Sequence, residues 1–225
     1  MMFAEISLLR RERYTVKRKK VCMLALMLAL SMLIILLSGC GKTQNPMATI
    51  TLSDGRQILI YLYPDKAPNT VANFIKLANS GFYDGLKFHR VVNSTLIQGG
   101  DPAGNGTGGP GYFIEGEFSA NGYSKNDVSF TGGTVGMARF SNSQGEEDYN
   151  TAGSQFFITV INKSSSYDGY YAGFGRVFSG LNIVTELSQV DAHDDDTPKK
   201  DIIIQSIRVE TYGKDYGEPK TIEAY

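Results

Sequence analysis

Residues 88–101 read FHRVVNSTLIQGGD, and this stretch shows the pattern on which the fold depends. It contains two short apolar runs, Phe88–Val92 and Leu96–Gly99, and it ends in glycines and an aspartate. Similar short runs follow at residues 135–139, 155–160 and 174–178, again separated by glycine clusters. Short strands with frequent turns predict a barrel or a sandwich. The 25 glycines among 225 residues also favour a turn-rich β protein over a helical bundle.

The sequence on either side of these runs adds a hairpin and two helices. Residues 48–52 and 57–63 are β-rich runs that flank an Asp54-Gly55 pair, which is a strong hairpin signal. Residues 68–80 are predicted to form a helix, because Val71, Phe74 and Ala78 fall on one face. Residues 181–188 predict a second short helix and residues 202–209 a last strand. Residues 210–225 are expected to form a polar C-terminal tail.

The first forty residues are predicted to direct export. Residues 21–37 are almost wholly apolar and follow four basic residues at positions 17–20, as in a secretory signal.

The sequence Leu37-Ser38-Gly39-Cys40 resembles the lipobox of bacterial lipoproteins, in which the cysteine receives a diacylglyceryl group and becomes the mature N-terminus. We therefore expect a signal peptide at residues 1–39, and the lipidated Cys40 with a short tether at residues 40–47. The resemblance implies a lipid-anchored protein on the extracytoplasmic side of a bacterial cell membrane. An uncleaved N-terminal membrane anchor is the alternative.

Charge is unevenly distributed along the chain. Residues 1–39 hold seven of the 22 basic and two of the 23 acidic side chains, so 15 basic and 21 acidic residues follow them. The resulting net charge of -6 would repel polyphosphate, which argues against a nucleic-acid partner.

Few residues of the main domain are suited to hydrolytic or metal chemistry. Both cysteines, Cys22 and Cys40, precede it, so the domain must be held together by packing alone. Of the two histidines, His89 and His193, His89 is expected to be structural rather than catalytic. The acidic run at residues 191–196 is expected to be a surface turn rather than a cation site. The sequence contains no metal-binding or nucleotide-binding motif.

A series of motifs accompanies residues 88–101. These residues are followed in order by Gly106-Thr107-Gly108-Gly109, Gly136-Met137-Ala138-Arg139, Gly153-Ser154-Gln155-Phe156-Phe157-Ile158 and Phe174-Gly175-Arg176-Val177. In this order and at these spacings, the motifs resemble the cyclophilins, and the resemblance covers residues 48–209. It implies a mainly β domain, a closed eight-stranded antiparallel β-barrel capped by two helices. It further implies a monomeric peptidyl-prolyl cis-trans isomerase that acts on proline-containing polypeptides without a cofactor or a metal.

The resemblance also implies roles for particular residues. Arg90 is expected to be the cationic donor that stabilises the twisted X-Pro amide, Gln98 to bind the substrate backbone and orient Arg90, and Phe157 to form the floor of the proline pocket. Because neighbouring residues of a strand point to opposite faces, Phe156 is expected in the core. The other groove residues are Leu96, Tyr167 and Tyr171 beside the proline, Gly106, Ala138 and Gln155 beside the residue that precedes it, and Arg139, whose backbone would pair with the substrate.

Two departures from the cyclophilin pattern leave a second function open. Thr95 stands where the family usually has an aromatic wall of the proline pocket, and Phe140 stands where a small residue is usual. Both changes favour a non-catalytic chaperone or scaffold at the membrane surface that binds proline-containing segments. Arg90, Gln98 and Phe157 together favour the isomerase.

If Cys40 carries the lipid, Cys40→Ala is expected to release the protein from the membrane or to leave an unprocessed precursor. Two acyl chains suffice for stable anchoring, and this substitution removes both. Membrane fractionation and the mass of the mature N-terminus measure the outcome, and Cys22→Ala is the matched control. Normal processing and unchanged membrane association of the Cys40 variant would contradict the lipoprotein assignment.

Overall fold

The computed structural model describes residues 44–140 and 148–224. The predicted signal peptide, Cys40 and most of the tether lie outside these ranges. Within them, no helix is long and apolar enough to cross a membrane. The α-helices are α1 (Pro68–Asn79), α2 (Ser164–Tyr167) and α3 (Leu181–Leu187), and a short 3-10 helix covers Ser119–Asn121. The strands are β1 (Met47–Leu52), β2 (Gln57–Leu62), β3 (Phe88–Val92), β4 (Leu96–Gly99), β5 (Tyr112–Phe113), β6 (Thr134–Met137), β7 (Phe156–Thr159), β8 (Gly173–Ser179), β9 (Ile204–Glu210) and β10 (Ile222–Glu223).

Eight of the described strands form one antiparallel sheet in the order β3-β4-β7-β6-β8-β2-β1-β9. β1 and β2 form the predicted hairpin, in which Ile50 pairs with Ile58 and Met47 with Tyr61. β5 and β10 form a separate two-stranded sheet. The predicted eight-stranded antiparallel architecture is therefore confirmed, and the two predicted helices are present as α1 and α3. The short helix α2 is an addition that the sequence did not predict.

The sheet is curled and is not closed by a continuous ladder, which corrects the closed barrel expected from the sequence. Among the described residues, its edge strands β3 and β9 meet only near the start of each, where Lys87 and Ile203 form an isolated bridge. Farther along β3 the partner changes, because the backbone N–H of Val91 donates to the carbonyl of Asp196 at 2.7 Å. The turn that precedes β9 thus occupies the edge of β3 that a barrel strand would have paired.

Alternating side chains of the sheet fill the interior. Every second residue of β1 and β2 is buried, including Ile50 and Ile58, as expected for strands with one face against a core. Phe74 of α1 lies across this core, with its ring centroid 5.6 Å from that of Phe156 and 5.2 Å from that of Phe174. Phe156 is therefore in the core, as predicted. These aromatic contacts hold α1 against β7 and β8.

The N-terminus of α1 is satisfied by a side chain from a distant part of the chain. Ala67, which precedes α1, has no side-chain acceptor. Glu117 is only 5% exposed and accepts hydrogen bonds from the backbone N–H of Asn69 at 3.0 Å and from that of Thr70 at 2.8 Å. It also accepts from the Thr70 hydroxyl at 2.6 Å. A carboxylate here satisfies N–H groups that the start of a helix leaves open, and it lies favourably in the field of the helix dipole.

The segment after β9, expected to be a polar tail, packs back on the domain. Ile222 of β10 pairs with Phe113 of β5. The side-chain amide of Asn69 binds the backbone of Lys220 twice: it donates to the carbonyl at 3.0 Å and accepts from the N–H at 2.7 Å. The end of the chain is thereby attached to the first turn of α1.

Glu117→Gln is expected to lower the free energy of unfolding by about 1–3 kcal/mol, because an amide nitrogen then faces a buried N–H that has lost its acceptor. Urea denaturation followed by circular dichroism measures the change. The exposed neighbour Glu115 provides the control, since Glu115→Gln is expected to change stability by less than about 0.5 kcal/mol. Equal stability of the Glu117 variant and the wild type would show that this contact does not stabilise α1.

Candidate active site

Neighbouring strands bring Arg90, Gln98 and Phe157 together. In the register of the sheet, Arg90 of β3 lies opposite Gln98 of β4, and Gln98 lies opposite Phe157 of β7. Phe157 in turn lies opposite Gly136 of β6. Residues that pair directly across strands project from the same face of a sheet. The three predicted catalytic residues therefore stand in one row, on the face opposite the one that carries Phe156.

A second, smaller apolar cluster lies on this face. Leu96, Phe130 and Phe157 are buried in it. The rings of Phe130 and Phe157 stack with their centroids 5.6 Å apart. Tyr167 and Tyr171 approach the Phe157 ring edge-on, at 5.5 and 5.4 Å, which is a favourable geometry for aromatic pairs. The cluster provides a rigid apolar surface at one end of the row.

Gly136 makes this stacking possible. A Cβ at this position would lie 2.6 Å from the Phe130 ring and 2.7 Å from the Phe157 ring. Such distances are well inside ordinary van der Waals contact, so any side chain here would force the two rings apart.

The row and the cluster line one cavity of about 140 Å³. Its lining consists of Arg90, Leu96, Gln98, Ala138, Arg139, Phe157, Tyr167 and Tyr171, all of which the sequence predicted for the site. Burial raises the pKa of the Tyr167 hydroxyl, and the neighbouring Tyr171 raises it further. The positive charge of Arg90 acts in the opposite direction. Tyr167 is therefore a neutral phenol at pH 7.

A chain of hydrogen bonds runs from Arg90 along the row. The Nη1 of Arg90 donates to Oε1 of Gln98 at 3.4 Å, and Nε2 of Gln98 donates to Oε1 of Gln155 at 3.0 Å. The Nε2 of Gln155 donates at 2.9 Å to the carbonyls of Gly106 and Gly108. Because the amide nitrogen of Gln155 faces two carbonyls, its oxygen must face Gln98. The orientation of Gln98 toward Arg90 follows from that arrangement.

The two predicted residues that do not line the first cavity, Gly106 and Gln155, line an adjoining one. This second cavity has a volume of about 50 Å³ and shares Gln98, Ala138 and Arg139 with the first. The structure thus brings all ten predicted catalytic and substrate-binding residues to two adjoining cavities. The roles assigned to them stay predictions.

The glycine-rich loop beside the second cavity is fixed by Asp101. Its carboxylate accepts hydrogen bonds from the backbone N–H groups of Ala103 at 2.8 Å, Asn105 at 2.8 Å and Gly106 at 2.5 Å. Burial tends to raise the pKa of Asp101, but these N–H groups outweigh it and lower the pKa. Asp101 is therefore ionised at pH 7 and holds the loop in place.

The two departures from the family pattern lie away from the first cavity. Phe140 lines the second cavity, where its ring centroid is 6.1 Å from that of Phe113. Thr95 lines neither cavity, and its hydroxyl donates to the carbonyl of Asn93 at 3.0 Å. Phe140 therefore borders the second cavity and not the first.

The side chain of Arg139 lies against the aromatic rim of the site. Its guanidinium carbon is 4.6 Å from the ring centroid of Tyr171 and 5.0 Å from that of Tyr149, within the range of cation–π contacts. Its Nε donates to the carbonyl of Tyr170 at 3.2 Å. The pairing of its backbone with a substrate chain stays a prediction.

Phe130 is a residue of the site that the sequence did not predict. It is fully buried, and its ring stacks on the floor of the first cavity. The stretch 126–133 reads NDVSFTGG, so the available signal was a single aromatic side chain among turn-forming residues.

The acidic run at residues 191–196 also differs from expectation at its last position. In the described ranges, no group of three or more His, Cys, Asp or Glu side chains is arranged to hold a metal ion. Asp196, however, is not simply a surface residue, because its carboxylate contacts Arg90: Oδ2 accepts from Nε at 3.2 Å and from Nη2 at 3.0 Å.

Residues 47–209 match the model of the family described as cyclophilin type peptidyl-prolyl cis-trans isomerase/CLD. The match spans most of the chain and includes the eight-stranded sheet except its last residue, Glu210, together with the row of Arg90, Gln98 and Phe157. The chain belongs to the cyclophilin family, and it is a peptidyl-prolyl cis-trans isomerase.

Individual relatives agree with this family. The chain is 45% identical to peptidyl-prolyl cis-trans isomerase B of Bacillus subtilis (strain 168) over 140 residues, which cover 62% of this chain and 89% of the relative. It is 37% identical to peptidyl-prolyl cis-trans isomerase-like 1 of Homo sapiens over 150 residues, or 65% and 82% of the two chains. A crystal structure of a cyclophilin type isomerase from Cryptosporidium parvum matches with a TM-score of 0.63 at 27% identity, covering 74% of this chain and 98% of that one.

The imidazole of His89, next to Arg90 in the chain, is buried and has no hydrogen-bond partner in the described part of the chain. It is 5% exposed, and neither ring nitrogen has a partner among the described residues. Burial lowers the pKa of the imidazole; the charges of Arg90 and Lys87 add to this, and the carboxylate of Asp101 opposes it. The folded protein therefore holds His89 in its neutral form, consistent with the structural role expected for it.

The free energy of unfolding is expected to fall as the pH decreases below about 6.5, the ordinary histidine pKa. In that range His89 binds a proton in the unfolded chain but stays neutral in the folded protein. The free energy of unfolding therefore decreases by at most about 1.4 kcal/mol per pH unit, until the pH reaches the lowered pKa of folded His89. Urea denaturation between pH 5 and 8 measures this. His89→Phe is expected to remove this loss of stability. His193→Gln, at an exposed position, is expected to leave it unchanged. The same pH dependence in the wild type and in His89→Phe would contradict the assignment.

Proposed function

We propose that this chain isomerises X-Pro bonds of exported or surface polypeptides at a bacterial membrane. A lipid on Cys40 holds it on the extracytoplasmic side. The basic residues at 17–20, the apolar run at 21–37 and the lipobox-like sequence that ends at Cys40 support this location. The short tether keeps the domain close to the membrane surface, where exported chains emerge and fold.

The reaction requires little covalent chemistry. Rotation about a peptide bond faces a barrier of about 18–20 kcal/mol because of amide resonance. At X-Pro bonds both isomers are accessible, but their uncatalysed exchange takes about tens of seconds or longer. A catalyst must hold the proline ring, let the preceding carbonyl turn and stabilise the nitrogen once it has left resonance. No nucleophile and no cofactor are needed for this.

The observation that carries the proposal is the row of Arg90, Gln98 and Phe157. It places a fixed cationic donor two strands away from an apolar ring surface that can receive a proline. A donor to the proline nitrogen stabilises the twisted amide more than the planar one, because only the twisted amide has a localised lone pair. The arrangement therefore favours the transition state over the ground state.

Gln98 is suited to hold the substrate backbone. Its Oε1 accepts from Arg90, and one N–H of its Nε2 donates to Gln155. A primary amide has two N–H groups, so the second is available to a substrate carbonyl. A substrate held there is also held beside Arg90.

Arg90→Ala is expected to lower kcat by about a hundredfold to a thousandfold, the effect of removing one preorganised donor, with a much smaller change in KM. An X-Pro isomerisation assay on the full-length chain in detergent measures it. Arg90→Lys is expected to recover only part of the rate, because an ammonium group cannot reproduce the planar fork of donors.

The matched control is Arg56→Ala, which removes an arginine from the β1–β2 turn. It is expected to retain full activity. A folded Arg90→Ala variant that works at the wild-type rate would refute the role of Arg90. Binding of proline peptides without turnover by the wild type would instead support the scaffold function.

A further inference from the structure

The carboxylate of Asp196 binds the guanidinium of Arg90 on the side opposite Gln98. Oδ2 of Asp196 accepts from Nε of Arg90 at 3.2 Å and from Nη2 at 3.0 Å. Gln98 accepts from Nη1. The two contacts come from different parts of the chain, since Gln98 is in β4 and Asp196 is in the turn before β9.

The backbone fixes where this carboxylate lies. The carbonyl of Asp196 accepts from the N–H of Val91, the residue after Arg90, at 2.7 Å. Its own N–H donates to the carbonyl of His193 at 3.0 Å, which closes the turn. Its φ of 65° is in the left-handed region, which aspartate tolerates better than most residues do. The backbone of Asp196 is therefore attached to β3 at Val91, next to Arg90, which the side chain of Asp196 binds.

We propose that Asp196 is a positioning residue that holds Arg90 in its catalytic orientation. This inference rests on the proposed role of Arg90. A guanidinium has five N–H groups, and the contacts with Asp196 and Gln98 engage three of them. The remaining two, one on each terminal nitrogen, donate to no acceptor among the described residues and stay available to the substrate. The contacts with Asp196 and Gln98 thus fix the orientation in which these two N–H groups face the proline nitrogen.

The carboxylate of Asp196 has two opposing effects on catalysis by Arg90: its charge weakens the field of the guanidinium, and its contacts fix the orientation of the guanidinium. The effect on orientation is the larger one. A neighbouring anion weakens the field of Arg90, but the side chains of Arg90 and Asp196 are 43% and 38% exposed, so water screens much of that effect. An exposed ion pair of this kind also contributes little to stability. Orientation is not screened: a displacement of about 1 Å at a reacting group can cost about a hundredfold in rate. Loss of Asp196 should therefore slow catalysis without unfolding the protein.

The test compares substitutions that the backbone of the turn can accept. Asp196→Gly keeps the left-handed φ without strain and removes the carboxylate, and Asp196→Asn keeps an acceptor without the charge. With full-length protein in detergent, kcat of Asp196→Gly is expected to fall about tenfold with KM nearly unchanged, and Asp196→Asn is expected to lie between it and the wild type. Asp194→Asn, which removes the same charge from an exposed position in the same turn, is expected to keep the wild-type kcat.

A double-mutant cycle separates positioning from a general structural effect. If Asp196 acts through Arg90, Asp196→Gly should have no further effect on the residual rate of Arg90→Ala. Equal losses in the two backgrounds would overturn the inference, as would a wild-type or raised kcat in Asp196→Gly. Should Arg90→Ala itself keep full activity, the proposed role of Arg90 fails and this inference with it. A slow Arg90→Ala beside a fully active Asp196→Gly refutes the positioning role alone.

Discussion

The cross-strand register of β3, β4, β7 and β6 is the constraint on which the site depends. It aligns Arg90, Gln98, Phe157 and Gly136 in a single row. Because side chains alternate along a strand, a slip of one residue in any of these pairings would turn its member of the row toward the opposite face. The same register sends Phe156 into the core beside Phe74, so burial of the core and assembly of the site are enforced by one set of pairings.

The two ends of the row are supported by different kinds of interaction. At the aromatic end, Phe130, Tyr167 and Tyr171 pack around Phe157, and the position of the ring is set by close contact. At the polar end, position is set by directed hydrogen bonds. Gln98 is oriented by Gln155, whose amide binds backbone carbonyls, and Asp196 is placed by hydrogen bonds of its own backbone. A site built in this way has its geometry in place before substrate arrives, which is what electrostatic catalysis requires.

Local sequence patterns predicted the eight strands of the main sheet and both main helices, because alternation and helical periodicity are visible in single segments, but they did not predict the two-residue strands β5 and β10. β3 and β4 begin and end at the predicted residues, and β1, β2 and β6 to β9 differ from prediction by a few residues at their ends. The groove residues were predicted from the resemblance of these motifs to the cyclophilins, and they include Tyr167 and Tyr171, which lie between two of the motifs. Contacts between distant segments were not visible in this way. Glu117 at the start of α1, Phe130 beneath the floor of the cavity and Asp196 beside Arg90 all depend on three-dimensional proximity. The prediction of a closed barrel was wrong for the same reason, because the turn at residues 191–196 pairs with the edge of β3.

Gly136 has a consequence for how this site can change over evolutionary time. The pocket around it is built of large side chains that can exchange for others of similar volume with modest repacking. Position 136 has no such freedom, because the space of even one methyl group is already filled by two rings. Substrate preference in descendants of this chain can therefore shift through the residues at the rim, such as Phe140, while glycine is retained at position 136, the end of the row beside Phe157.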